Sequence, residues 1–134
     1  MSFGFRDKPT LSRLNKELGI LSNNYYNYNV LLNYNYIDIY ITIFVHHCKE
    51  ITVNIKIEET YPFKAPIVLI NNFKYDKLLK LISIKYNHTD MCLCCKSITC
   101  PEKWKPTSKI QDILSEIFEY QSDIINFLPV GVCD

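Results

Sequence analysis

Four of the six cysteines, Cys92, Cys94, Cys95 and Cys100, fall within nine consecutive positions, and no other part of the chain concentrates as much reactive chemistry. A cysteine acts through its thiolate, either as a nucleophile that also leaves readily or as a soft metal ligand. Asn87 and His88 precede the cluster, whereas Cys48 and Cys133 stand apart from it. In a reducing compartment such crowding reads as catalytic or metal-binding thiols and not as a disulfide framework. For a metal, Cys92, Cys94 or Cys95, Cys100 and His88 would surround one Zn²⁺, which takes four N or S ligands at about 2.0–2.3 Å. The Cys-x-Cys-Cys run does not supply two separated ligand pairs, which favours the nucleophile. No metal or other cofactor is expected. His46 and His47 beside Cys48 lie between two strand-like segments and read as a solvated turn.

The elements that must position these thiols follow from hydrophobic periodicity. Leu11, Leu14, Leu18 and Leu21 share one face of a helix from about Lys8 to Leu21, with Arg13, Lys16 and Glu17 on the polar side. Three strand segments follow: Tyr28 to Leu32, Tyr36 to Val45 and Glu50 to Ile57. Ile37, Ile39, Ile41 and Ile43 alternate with Asp38, Tyr40, Thr42 and Phe44, and Ile51, Val53, Ile55 and Ile57 alternate with Thr52, Asn54 and Lys56. That is the period of half-buried strands. Their short links favour an antiparallel meander, because parallel pairing needs a crossover of about a dozen residues or more. Tyr61-Pro62-Phe63-Lys64-Ala65-Pro66 interrupts before a fourth strand, Ile67 to Ile70. Asn71 to Pro106 reads as a long functional loop, with Leu78 to Ile84 open as a short helix or a strand. Thr107 or Ser108 caps a second helix, about Ser108 to Tyr120, in which Ile110, Ile113, Leu114 and Ile117 form the apolar stripe and Lys109, Asp112 and Glu116 lie outside. The expectation is an α+β fold in one domain, residues 1–134, built on a four-stranded antiparallel meander.

With 134 residues, 48% of them hydrophobic and 22% charged, the chain can bury one core, which excludes disorder and collagen-like structure. A net charge of +1 with scattered basic residues offers little to phosphates, so nucleic acid is not an expected partner. No apolar run approaches the ~20 residues of a membrane span and the start lacks a signal-peptide core, so a soluble cytoplasmic protein without membrane association is expected.

The order of these elements and motifs resembles the ubiquitin-conjugating (E2) family and its UBC fold. Arg13-Leu14-Asn15-Lys16-Glu17-Leu18 matches the first helix, Tyr61 to Pro66 the family's YPFKPP turn, Met91-Cys92-Leu93 its I-C-L active-site tripeptide and Trp104-Lys105-Pro106 its W-x-P. The similarity extends over residues 8–130, nearly the whole chain. It implies an N-terminal helix, the meander, an active-site loop, a central helix and a short C-terminal segment. The common spacing from active cysteine to tryptophan lands on Lys96. The longer loop of the endoplasmic-reticulum class, C-L-S-I-S-S-H-H-P-E-T-W, matches Cys92 to Trp104 with one extra residue, although the membrane anchor of that class is not expected here. Cys92 is therefore the nucleophile this resemblance implies, with Cys95 the alternative by tryptophan spacing. The His-Pro-Asn triad is replaced by Tyr86-Asn87-His88, which makes Asn87 the candidate oxyanion donor. Counting from Trp104, Asp123 and Pro129 match family positions, and Leu128 falls where many members carry an acidic residue.

The implied activity is that of a transferase that accepts ubiquitin or a ubiquitin-like protein from an E1 activating enzyme as a thioester and passes it to a lysine. One well-placed amide donor in an acyl-transfer site typically contributes about 2.7–4 kcal/mol to the oxyanion. An E3 ligase would contact Arg13, Phe63, Pro106 and Thr107, and Phe63 on a proline-bounded turn has little conformational freedom to lose. A second reading, also implied by the resemblance, is an inactive variant or RWD-like module that binds ubiquitin or a ligase without transfer. Phe63 as a core plug, Trp104 as a packing anchor and Asp123 as a helix-end residue are the structural alternatives.

Overall fold

The strand alternation requires a sheet with one buried and one polar face, and the computed structural model contains it. The structure describes residues 8–23, 27–33, 36–45, 49–85 and 92–128. Helix α1 (Lys8–Asn23) is followed by strands β1 (Asn27–Leu32), β2 (Ile37–Val45), β3 (Lys49–Ile57), β4 (Ile67–Ile70) and β5 (Phe73–Lys74), paired in that order and all antiparallel. Ile39 faces Ile55 and Ile41 faces Val53 across β2 and β3, so the isoleucine-rich sides of both strands enter one core. On the opposite face Asp38 is only 1% exposed, because Lys56 Nζ reaches it at 2.9 Å and the amides of Asn33 and Asn54 also donate to it.

Among the described residues the sheet has five strands, not the expected four. Asn71 and Asn72 sit at φ 48° and 71°, a left-handed pair that asparagine tolerates better than most residues, and they fold β5 back onto β4. Asn71 secures the turn by accepting the Thr52 N–H through its side chain (2.8 Å) and donating its own N–H to the Thr52 carbonyl (2.9 Å). Nor is Asn71 to Pro106 one long loop. Helix α2 (Tyr75–Lys85) buries Tyr75, Leu78, Leu79 and Ile82 on a helical stripe, and the short helix α3 (Leu93–Lys96) carries part of the cysteine cluster.

Helix α4 (Ile110–Glu119) buries Ile110, Ile113, Leu114 and Ile117 as the periodicity requires. Its N-cap is Lys109, not Thr107 or Ser108: Asp112 accepts the Lys109 N–H at 2.9 Å, while the Ser108 hydroxyl accepts the Lys105 N–H at 3.2 Å. Helix α5 (Gln121–Phe127) closes the described chain with Ile124 and Leu128 buried. No described helix is long and apolar enough to cross a membrane.

Candidate functional site

Glu17 organises the first half of the site. Placed on the polar side of α1 by its residue type, it is 3% exposed, because it follows Leu14 by three residues and precedes Leu21 by four on the buried stripe. The Tyr61 hydroxyl donates to its carboxylate (2.6 and 2.7 Å), as do the Ile110 N–H (2.7 Å) and Arg13 Nε (2.9 Å). One carboxylate thus joins α1, the turn after β3 and the start of α4. Burial, then the Glu17 charge, pushes the Tyr61 hydroxyl well above the ordinary tyrosine range.

Arg13 extends this junction. Its two terminal nitrogens donate to the carbonyls of Pro106 and Ser108, both at 2.6 Å, and its guanidinium lies 5.9 Å from the Tyr61 ring centre. Trp104, itself buried, donates Nε1–H to the Pro62 carbonyl at 2.7 Å and tilts against Tyr61 with ring centres 6.0 Å apart. Arg13, the Tyr61 to Pro66 turn, Trp104 and Pro106 are therefore brought together. Much of Arg13's hydrogen-bonding capacity is committed within the fold. Phe63 is 80% exposed and does not plug the core, a place that Tyr61 takes instead, and Pro106 and Thr107 are exposed beside the junction.

The cysteine segment is anchored separately. Ser83, buried on α2, accepts the Leu93 N–H at 2.7 Å and donates its hydroxyl to the Leu79 carbonyl at 2.9 Å. Leu93 is buried, which holds Cys92 at the point where extended backbone (φ −56°, ψ 137°) becomes α3. The Cys92 carbonyl accepts the Cys95 N–H at 2.9 Å. Beyond α3, the Glu116 carboxylate accepts from Ser97 Oγ (2.6 Å), the Ile98 N–H (2.9 Å) and the Tyr75 hydroxyl (2.6 Å), so α4 grips both the cysteine segment and α2. The periodicity of α4 places Glu116 outside its apolar stripe, yet it is half-buried because the segment folds over it. The Cys100 carbonyl then accepts the N–H groups of Lys103 (2.8 Å) and Trp104 (2.9 Å), returning the chain to the tryptophan anchor.

Cys92, Cys94 and Cys100 are half-buried and Cys95 is exposed, and all four are free thiols. The sulfurs of Cys92 and Cys94 lie 2.7 Å apart, and those of Cys94 and Cys95 lie 3.9 Å apart. Desolvation raises the Cys92 thiol, but the polar contacts of its sulfur with the Cys94 side chain and backbone, and with the nearby Ser83 hydroxyl and Cys95 backbone, outweigh it and set its pKa below the ordinary value. Cys94 is pushed up to about 12, first by desolvation and then by its sulfur neighbours. The pair is thus polarised toward a Cys92 thiolate.

Tyr86, Asn87, His88 and Met91 lie outside the described residues, as do His46, His47, Cys48, Pro129 and Cys133. Among the described residues no group of three or more His, Cys, Asp or Glu side chains is arranged to hold a metal ion. Asp123 occupies the first turn of α5, and Leu128 is buried at its end. Glu17, Ser83 and Glu116 are the organising residues to which the motifs assign no site role. The signal for Glu17 and Ser83 was positional, since Ser83 falls on the Tyr75, Leu79 and Ile82 stripe of α2. No protein-family model matches the chain, and neither does any curated protein or solved structure.

Proposed function

We propose that the chain is a ubiquitin-conjugating (E2) enzyme with a UBC-like fold, carrying its modifier as a thioester on Cys92. The observation that carries this reading is the half-buried Cys92 thiol, held at the start of α3 with its pKa lowered by Cys94, Ser83 and Cys95. A thiolate so placed attacks the thioester carbonyl delivered by an activating enzyme; the new S–C bond forms as the donor thiolate leaves. A lysine amine then attacks the same carbonyl and Cys92 is the leaving group. The junction of Arg13, Glu17, Tyr61, Trp104 and Pro106 supports the same reading, because it joins the segments that carry the resemblance. The exposed Phe63, with Pro106 and Thr107, offers the surface on which a ligase would dock.

Incubation with activating enzyme, ATP and ubiquitin tests the proposal. A thiol-labile adduct on a non-reducing gel is the expected result. The exposure of Phe63 on a proline-bounded turn also suits a module that binds ubiquitin or a ligase without transfer, and binding with no adduct under any charging condition would favour that second reading.

A further inference from the structure

We propose that Cys92 and Cys94 are a reversible dithiol/disulfide pair, a modification site at which a hydroperoxide oxidises the two thiols to a Cys92–Cys94 disulfide. The consequence, that oxidation closes the acyl-accepting sulfur, rests on the proposed function; the oxidation itself does not. The two sulfurs are 2.7 Å apart and need to approach by less than about an ångström to reach the ~2.05 Å of a disulfide. Cys92 lies just outside α3 in extended backbone and Cys94 just inside a helix of four residues, so the movement is local. Cys95 is the weaker partner: its sulfur is 3.9 Å from that of Cys94, and it is turned toward solvent.

The polarity of the pair sets the order of events. Cys92, the more acidic thiol, attacks a peroxide oxygen as thiolate; the S–O bond forms, the O–O bond breaks, and the departing alkoxide or hydroxide takes up a proton. The Cys92 sulfenic acid that results is uncharged, which removes the part of the Cys94 pKa elevation that comes from the neighbouring sulfur charge. Cys94 then loses its proton and attacks the Cys92 sulfur; the S–S bond forms, the S–O bond breaks, and hydroxide leaves as water with that proton. Two thiols and one hydroperoxide thus become one disulfide, one alcohol or water, and one further water. A small-molecule dithiol returns both sulfurs to the reduced state by exchange.

The test uses the full chain, treated with a few equivalents of hydrogen peroxide, denatured, and alkylated with iodoacetamide. The expected product has lost two of its six alkylatable thiols, shows a Cys92–Cys94 link in peptide fragmentation, and regains both thiols after dithiothreitol. Cys94→Ser should instead accumulate a Cys92 sulfenic acid, trapped by dimedone, whereas Cys95→Ser should still form the link. Six alkylatable thiols after peroxide, or the same thiol loss in Cys94→Ser, would overturn the proposal. Charging measured on the same samples, after the reductant is removed, separates the two ideas. A disulfide in a protein that never charges when reduced keeps the oxidation site and removes its consequence for transfer. A protein that charges when reduced and keeps its thiols in peroxide does the opposite.

Discussion

Cys92 and Cys94 have only Leu93 between them, yet their surroundings push them in opposite directions. Iodoacetamide should therefore label Cys92 before Cys94, its rate rising at a pH below that of an ordinary thiol near 8.5. Peptide mapping of a timed reaction reads that order, and equal labelling of the two would contradict it. Glu17 gives a second residue-scale expectation. Glu17→Ala strands the Tyr61 hydroxyl, the Ile110 N–H and Arg13 around a vacated carboxylate, and should cost about 3–5 kcal/mol in denaturant unfolding. The cysteines were legible in sequence because their crowding is rare. Glu17 and Ser83 show in sequence only their place on an apolar stripe, and Glu116 not even that, since what a buried carboxylate or hydroxyl holds depends on its donors. Those donors come from segments far along the chain, with Ile110 pairing Glu17 and Tyr75 pairing Glu116.

At the scale of elements, β2, β3, α1 and α4 were legible because each repeats its apolar residues at a single clear period over several turns or pleats. The β4 to β5 hairpin was missed because two residues carry no period, and its one signal is the pair Asn71-Asn72. Asn72→Gly should hold or raise the unfolding midpoint, and Asn72→Val should lower stability by about 1–2 kcal/mol, because a β-branched residue is strained at φ 71°. The segment Leu78 to Ile84 alone fits a short helix or a strand, because the first buried residue of α2, Tyr75, lies before it, with its hydroxyl claimed by Glu116 on α4. The tryptophan anchor is likewise a contact between elements. Trp104→Phe keeps an aromatic in the pocket but leaves the Pro62 carbonyl without its donor, and should cost about 1–2 kcal/mol. If the turn does organise a docking surface, the same variant should also weaken ligase binding relative to wild type at matched folded fraction.

For the molecule as a whole, Tyr61 and Tyr75 couple folding to alkaline pH. Burial raises both hydroxyls in the folded state, and Glu17 and Glu116 raise them further. The unfolded chain releases these protons near pH 10 while the folded chain keeps them, so stability is intact below about pH 10 and falls as pH climbs above it. Tyr61→Phe and Tyr75→Phe should each flatten that decline when urea midpoints at about pH 8 and about pH 10.5 are compared. Unchanged slopes would mean that the buried hydroxyls ionise as freely as in water. The proposed acyl-transfer chemistry is assigned to one thiol of this α+β chain, and the most direct measurement of that proposal is which cysteine carries the acyl group. With activating enzyme, ATP and ubiquitin, the wild type, Cys95→Ser and Cys100→Ser should each form a thiol-labile adduct, and Cys92→Ser should form only a thiol-resistant oxyester or none. Normal thioester formation by Cys92→Ser, with its loss in Cys95→Ser, would contradict the assignment and put the nucleophile at the exposed cysteine nearer Trp104.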